Sequence, residues 1–120
     1  MNVIATCVLR GSSSRDFYDV EVYVILVNYL VDLSAIDEAL DAHIRWLDEQ
    51  YDAGLFLASG RREPRTGGII FAVGDRAAID AAVARDPFAE RSLAHHEVIE
   101  FHPSRLGGPL DADSIRDVVR

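Results

Sequence analysis

The chain has 120 residues, of which 49% are hydrophobic, so it supports one domain with one modest core and is not globally disordered. Its 20 acidic and 12 basic residues leave a formal net charge of −8, which argues against a nucleic-acid binder needing a basic face to neutralise phosphates. A single cysteine, Cys7, excludes an intrachain disulfide and a cysteine-built zinc cluster.

The apolar runs are too short for a transmembrane helix, so no membrane association is expected. Met1–Arg10 has no basic stretch ahead of its apolar residues, and no small-residue cleavage pattern comes after it. The expected location is therefore cytoplasmic.

Residues 1–20 read as an N-terminal extension. Val3 to Leu9 has strand propensity, but Gly11 and the serines at 12 to 14 separate it from the next apolar run. That run, apolar and β-favouring from Tyr23 to Tyr29, predicts a central strand.

A long helix comes next, with Ser34 as its expected N-cap, Asp37 in its first turn and an end near Ala53–Gly54. Ile36, Leu40, Ile44, Leu47 and Tyr51 recur at helical spacing and form its expected buried stripe. Leu55 to Ala58 is a short strand. Ser59, Gly60 and the polar run to Gly68 connect it to a third strand, Ile69–Val73. Asp75 is positioned to cap a second helix containing Ile79, Ala82 and Val83, and Asp86-Pro87 turns the chain. Phe88 to Leu93 reads as a short turn, and His96–Phe101 is the last strand. A tail spans 104 to 120, in which Ser114–Val119 is expected either to add a short helix or to pack as an extension.

The order is βαββαβ over residues 21–103. Two helices among four strands pack most simply on one face of the sheet, giving an α+β, ferredoxin-like sandwich. The other sheet face needs a cover, and a second subunit is the natural one, so a homodimer is expected.

His43 lies inside the expected apolar stripe, three residues after Leu40 and four before Leu47. An imidazole there either satisfies itself with one buried hydrogen bond or moves a proton near neutral pH. Asp86 extends the apolar face of the second helix, where an unpartnered carboxylate is costly and a helix C-terminus gives it no help. With both helices on one sheet face, Asp86 can orient His43 and stabilise its charged form. The plainer alternative is that Asp86 caps the Pro87 turn through backbone donors.

Ser59 can donate to a ligand and Gly60 permits close backbone approach, though both also suit a strand exit. Arg61 can attract an organic acid or phenolate, unless Glu63 engages it. Tyr23 and Tyr29 are strand aromatics that need no ligand to explain them. His95 and His96 point to opposite sides of a strand, and His96 and His102 are roughly 20 Å apart when extended, so no metal site is expected. Gly67-Gly68 lacks the context of a phosphate-binding loop, and no cofactor is expected.

His43 on its helix, Ser59-Gly60 after the second strand, Gly67-Gly68 before the third and Asp86-Pro87-Phe88 before the last together resemble the YciI-like, or YCII-related domain, family over roughly Val22 to Pro103. The resemblance implies a ferredoxin-like subunit in a dimeric α/β-barrel assembly related to that of muconolactone isomerase. It also implies that His43 and Asp86 line a cleft as an acid–base pair. Most members of that family lack an assigned reaction, while a few related proteins act on chlorinated hydroxyquinones as dehydrochlorinases. Arg61 stands where many relatives have proline.

Two functional classes are consistent with these residues. In one, His43 and Asp86 are catalytic, with Ser59, Gly60 and Arg61 holding a small cyclic or enolizable compound during isomerisation or dehydrochlorination. In the other, the same cleft binds a small molecule without turnover, or the pair is purely structural.

Overall fold

A computed structural model describes residues 21–111. Strand β1 (Glu21–Tyr29) leads to helices α1 (Leu33–Glu38) and α2 (Leu40–Asp52), then to strands β2 (Phe56–Arg61) and β3 (Gly67–Gly74). Helix α3 (Arg76–Ala84), the single turn α4 (Pro87–Glu90) and strand β4 (Ala94–Phe101) complete the domain, and a 3-10 turn lies beyond them at Gly108–Asp111. The expected strand in Val3–Leu9 and the short helix or extension at Ser114–Val119 lie outside the described residues.

The four strands form one antiparallel sheet in the order β2-β3-β1-β4. This is the ferredoxin-like α+β arrangement expected for the element order. Central β1 alternates in the manner of a half-covered strand: Tyr23, Ile25 and Val27 are buried beneath the helices. Ile70, Ala72, Phe56 and Ala94 join them from the other strands, and Ile36, Trp46, Ile79 and Phe88 close the core from the helical side.

The first helical segment departs from expectation. It starts at Leu33 with Asp32, not Ser34, at the N-cap, and it is interrupted at Ala39. The interruption resets the face that α2 presents to the sheet. Trp46 and Gln50 are its buried residues, whereas Ile44, expected in the stripe, is 44% exposed and Tyr51 is also exposed. Trp46 wins the central position because its ring fills the core while its Nε1–H donates to the Ala82 carbonyl at 2.9 Å, tying α2 to α3.

Asp75 caps α3 as expected, accepting from the Ala78 amide at 2.8 Å. At the other end of the sheet, Gly67 pairs with Asn28. A Cβ at Gly67 would fall 1.8 Å from the Val27 carbonyl oxygen, so only glycine lets β3 start this close to β1.

Strand β2 runs on through Ser59, Gly60 and Arg61, which the sequence suggested were a connection. Its ladder with β3 carries a bulge between Phe56 and Ala58. Phe56 faces the helices opposite Ala72; beyond the bulge, Ser59 and Arg61 stand opposite Ile70 and Gly68. Without the extra residue, strict alternation would send Ser59 and Arg61 to the uncovered face. The bulge turns them toward the helices.

Candidate functional site

Pro87 sets the position of the central carboxylate. It holds Asp86 in an extended conformation, φ −61° and ψ 126°, and itself takes the first position of α4. Asp86 is therefore the N-cap of a new helical turn, not the tail of α3 as the apolar spacing suggested. Its Oδ1 accepts from the Phe88 amide at 3.0 Å, so the capping role and the histidine contact coexist.

The same Oδ1 accepts from His43 Nδ1 at 2.8 Å, and Oδ2 accepts from His96 Nε2 at 2.7 Å. The Asp86 side chain is fully buried, with 0% exposure, and those of His96 and His43 are 5% and 13% exposed. Burial alone would raise the Asp86 carboxyl. The hydrogen bonds from His43 and His96, the charge interaction with His43 and the Phe88 amide outweigh it and hold the group below its ordinary value. An ionised carboxylate is acceptor-only, so both imidazoles turn an N–H toward it.

His43 is clamped as well as bonded. Its ring stacks on Phe88 with centroids 4.0 Å apart and planes within 5°, and Trp46 lies at 5.3 Å, tilted by 34°. With Nδ1–H committed to Asp86, Nε2 is the nitrogen left for the cavity that the ring lines. Asp86 and His96 sit behind it and do not line that cavity.

The cavity encloses about 300 Å³ between α2 and the sheet. Leu40, Ile44, Leu47, Val27, Ile70 and Phe88 supply apolar walls, and Ser59, Gly60, Arg61 and Arg65 line the β2 side. Ser59 Oγ lies 2.7 Å from the Tyr51 hydroxyl. Arg65 pairs with Asp37 of α1 at 2.5 Å, whereas Arg61 makes no ion pair among the described residues, with Glu63 or any other carboxylate. Tyr29 lines the cavity and meets Phe88 edge-on, whereas Tyr23 is buried toward the far end of β1, hydrogen-bonded to Glu21. The three residues singled out on β2 thus share one cavity with His43.

Spacing along the chain missed His96. It shares the inner face of β4 with buried Ala94 and half-buried Val98, a parity that marks it as facing the core. His95 is exposed, and His102 pairs at the surface with Glu100 at 2.9 Å.

The sequence profile of the YCII-related domain matches residues 22–102. The chain belongs to this family. No curated protein matches it in sequence. Among solved structures, this YCII-related protein is similar to 5-chloro-2-hydroxyhydroquinone dehydrochlorinase from Burkholderia phenoliruptrix, determined in complex with 2,5-dihydroxybenzoquinone. The superposition has a TM-score of 0.57 and 15% sequence identity, covering 69% of this chain and 93% of the other. At that identity the likeness establishes a shared fold. No helix among the described residues is long and apolar enough to cross a membrane.

Proposed function

We propose that this YCII-related protein is an acid–base enzyme of the isomerase or dehydrochlorinase type, acting on a small cyclic, enolizable compound. The observation that carries the reading is the placement of His43. One ring nitrogen is held by a buried carboxylate while the same ring lines an apolar-walled cavity. A cavity of roughly half this volume holds benzene, so a substituted six-membered ring fits. The fold shared with a dehydrochlorinase that binds a dihydroxybenzoquinone supports a ligand of that size and class.

In this reading Nε2 of His43 takes a proton from a ligand carbon that lies beside a carbonyl. The electron pair left behind moves into the neighbouring carbonyl. In isomerisation the imidazolium returns its proton to another carbon. In dehydrochlorination the pair expels chloride and the imidazolium later loses its proton to solvent. Asp86 stays ionised throughout and offsets the positive charge on His43.

Arg61 supplies a directional positive donor to the developing oxygen anion. When the Tyr51 hydroxyl donates to Ser59 Oγ, the Ser59 hydrogen is free for the same oxygen. Gly60 leaves room for the ring against the β2 backbone. The test is a turnover and binding screen of enolizable and halogenated dihydroxy aromatic compounds, with His43→Ala as control. Conversion by the wild type that persists in a folded His43→Ala protein would refute the role of His43. Saturable binding without conversion would establish a binding protein instead.

The sheet face that carries no helix among the described residues supports a homodimer. Val24, Leu26, Ile69, Phe71, Ile99 and Phe101 form a continuous apolar surface across β3, β1 and β4, and the last four are exposed. A second copy of the same face is its proposed cover.

A further inference from the structure

We propose that His96 is a positioning residue of this site: its Nε2–H holds Asp86 as an anion with Oδ1 turned to His43, which keeps His43 in the tautomer whose bare Nε2 faces the cavity. The inference rests on the reading of His43 as a base.

Asp86 offers two oxygens to three donors, and the division among them is uneven. Oδ1 receives His43 Nδ1 and the Phe88 amide, while His96 is the sole donor to Oδ2 among the described residues. A fully buried carboxylate oxygen with no donor is expensive. It can escape the cost by taking up a proton or by rotating. A proton held between Asp86 Oδ1 and His43 Nδ1 as a carboxylic acid would leave the imidazole hydrogen on Nε2, where it blocks proton abstraction. His96 prevents this by giving Oδ2 a neutral donor.

The surroundings suit that role. His96 pairs with Val27 across the β1–β4 ladder, so the sheet fixes its backbone, and its side chain is almost entirely buried. It does not line the cavity, so it acts only through Asp86. The other charges facing the cavity are the guanidinium groups of Arg61 and Arg65 on the β2 side, and among the described residues neither makes a hydrogen bond or ion pair with Asp86 or His96.

The experiment is nitrogen-15 NMR of the histidine rings at about pH 8, above the ordinary imidazole range, on the wild-type chain, His96→Leu and His96→Gln. In the wild type, His43 should carry its hydrogen on Nδ1 and His96 on Nε2. His96→Leu should move hydrogen onto His43 Nε2, and His96→Gln, whose amide donates from a similar position, should restore the wild-type pattern. With a substrate in hand, kcat should fall about 10–100-fold in His96→Leu, with KM little changed, and recover in His96→Gln. A wild-type spectrum with His96 hydrogen on Nδ1 overturns the inference whether or not the variants fold. A folded His96→Leu protein with an unaltered His43 ring also overturns it. The expected ring pattern in a chain that converts no substrate keeps the role of His96 and removes the enzyme reading, so the two failures are separable.

Discussion

Ser59 stands opposite Ile70 on the helix-covered side of the sheet, and a single bulged residue earlier in β2 puts it there. The same register carries Arg61 to the cavity, where it is exposed and has no ion-pair partner among the described residues. Arg61→Gln should therefore leave stability within about 0.5 kcal/mol of wild type, as for most surface substitutions. Affinity for an anionic ring ligand should fall about 10–100-fold, the loss expected for one charge-assisted hydrogen bond. Titration calorimetry with 2,5-dihydroxybenzoquinone as probe, set beside urea unfolding, checks both parts. Unchanged affinity for an anion that binds in the cavity would remove Arg61 from the ligand site.

The link between Trp46 and Ala82 makes a prediction about the scaffold. Trp46→Phe keeps an aromatic ring but removes the side-chain donor that reaches this carbonyl from α2. The loss should cost about 1–3 kcal/mol, read as a lower urea midpoint at unchanged slope. A variant as stable as wild type would mean that the carbonyl finds another partner.

The element order and the cap at Asp75 were legible from residue patterns, because each depends on local chemistry, and the one-sided helical cover followed from that order. The join at Ala39 was not, since neither glycine nor proline marks it. That small break rotates α2 and exchanges Ile44 for Trp46 in the core. The bulge between Phe56 and Ala58 was equally silent, although it decides which face Ser59 and Arg61 occupy. His43 and Asp86 were visible because polar side chains interrupted apolar stripes. His96 was hidden beside an exposed histidine, and only its parity with Ala94 and Val98 distinguished the two.

Acid should weaken the fold through Asp86. Its folded-state value lies below the ordinary 3.8, so its stabilising contribution is present above that value and is lost as pH falls through the lower, folded one. Asp86→Asn has no such titration, and its amide brings a second donor against two imidazole donors. Near pH 7 it should be less stable by about 2–4 kcal/mol, the usual cost of breaking a buried hydrogen-bonded charge network. The gap between the two proteins should narrow below about pH 4, as the wild-type carboxylate protonates. Unfolding free energies measured across the acid range check the sign. A gap independent of pH would mean that Asp86 is not an anion in the folded chain.

The exposed face of β3 gives the test of dimerisation. Phe71 lies opposite Val24, at the middle of the apolar surface that no described helix covers, and is 44% exposed. Light scattering across a concentration series should give a dimer mass for the wild type. Phe71→Glu should give a folded monomer, because a buried unpaired carboxylate is costly at an interface and harmless in water. A wild-type chain that stays monomeric at all concentrations would defeat the proposed cover.

The last prediction concerns His43 and Asp86 acting together. Their 2.8 Å contact and the stacked Phe88 ring fix the imidazole before any ligand arrives. His43→Ala removes the proposed base, so kcat should fall by about 10²-fold or more, the usual contribution of a general base, while ligand affinity changes little. Asp86→Asn should lower kcat by a smaller factor, because the base remains but loses its tautomer and the charge that offsets its protonated form. Once His43 is absent, Asp86 has nothing to orient, so the double variant should be no slower than His43→Ala alone. Two independent contributions would instead multiply. Single-turnover rates for the four proteins, measured with ligand affinity and unfolding free energy, separate these cases. A multiplicative loss in four folded proteins would show that the two residues do not work as one proton-transfer unit, whatever their contact.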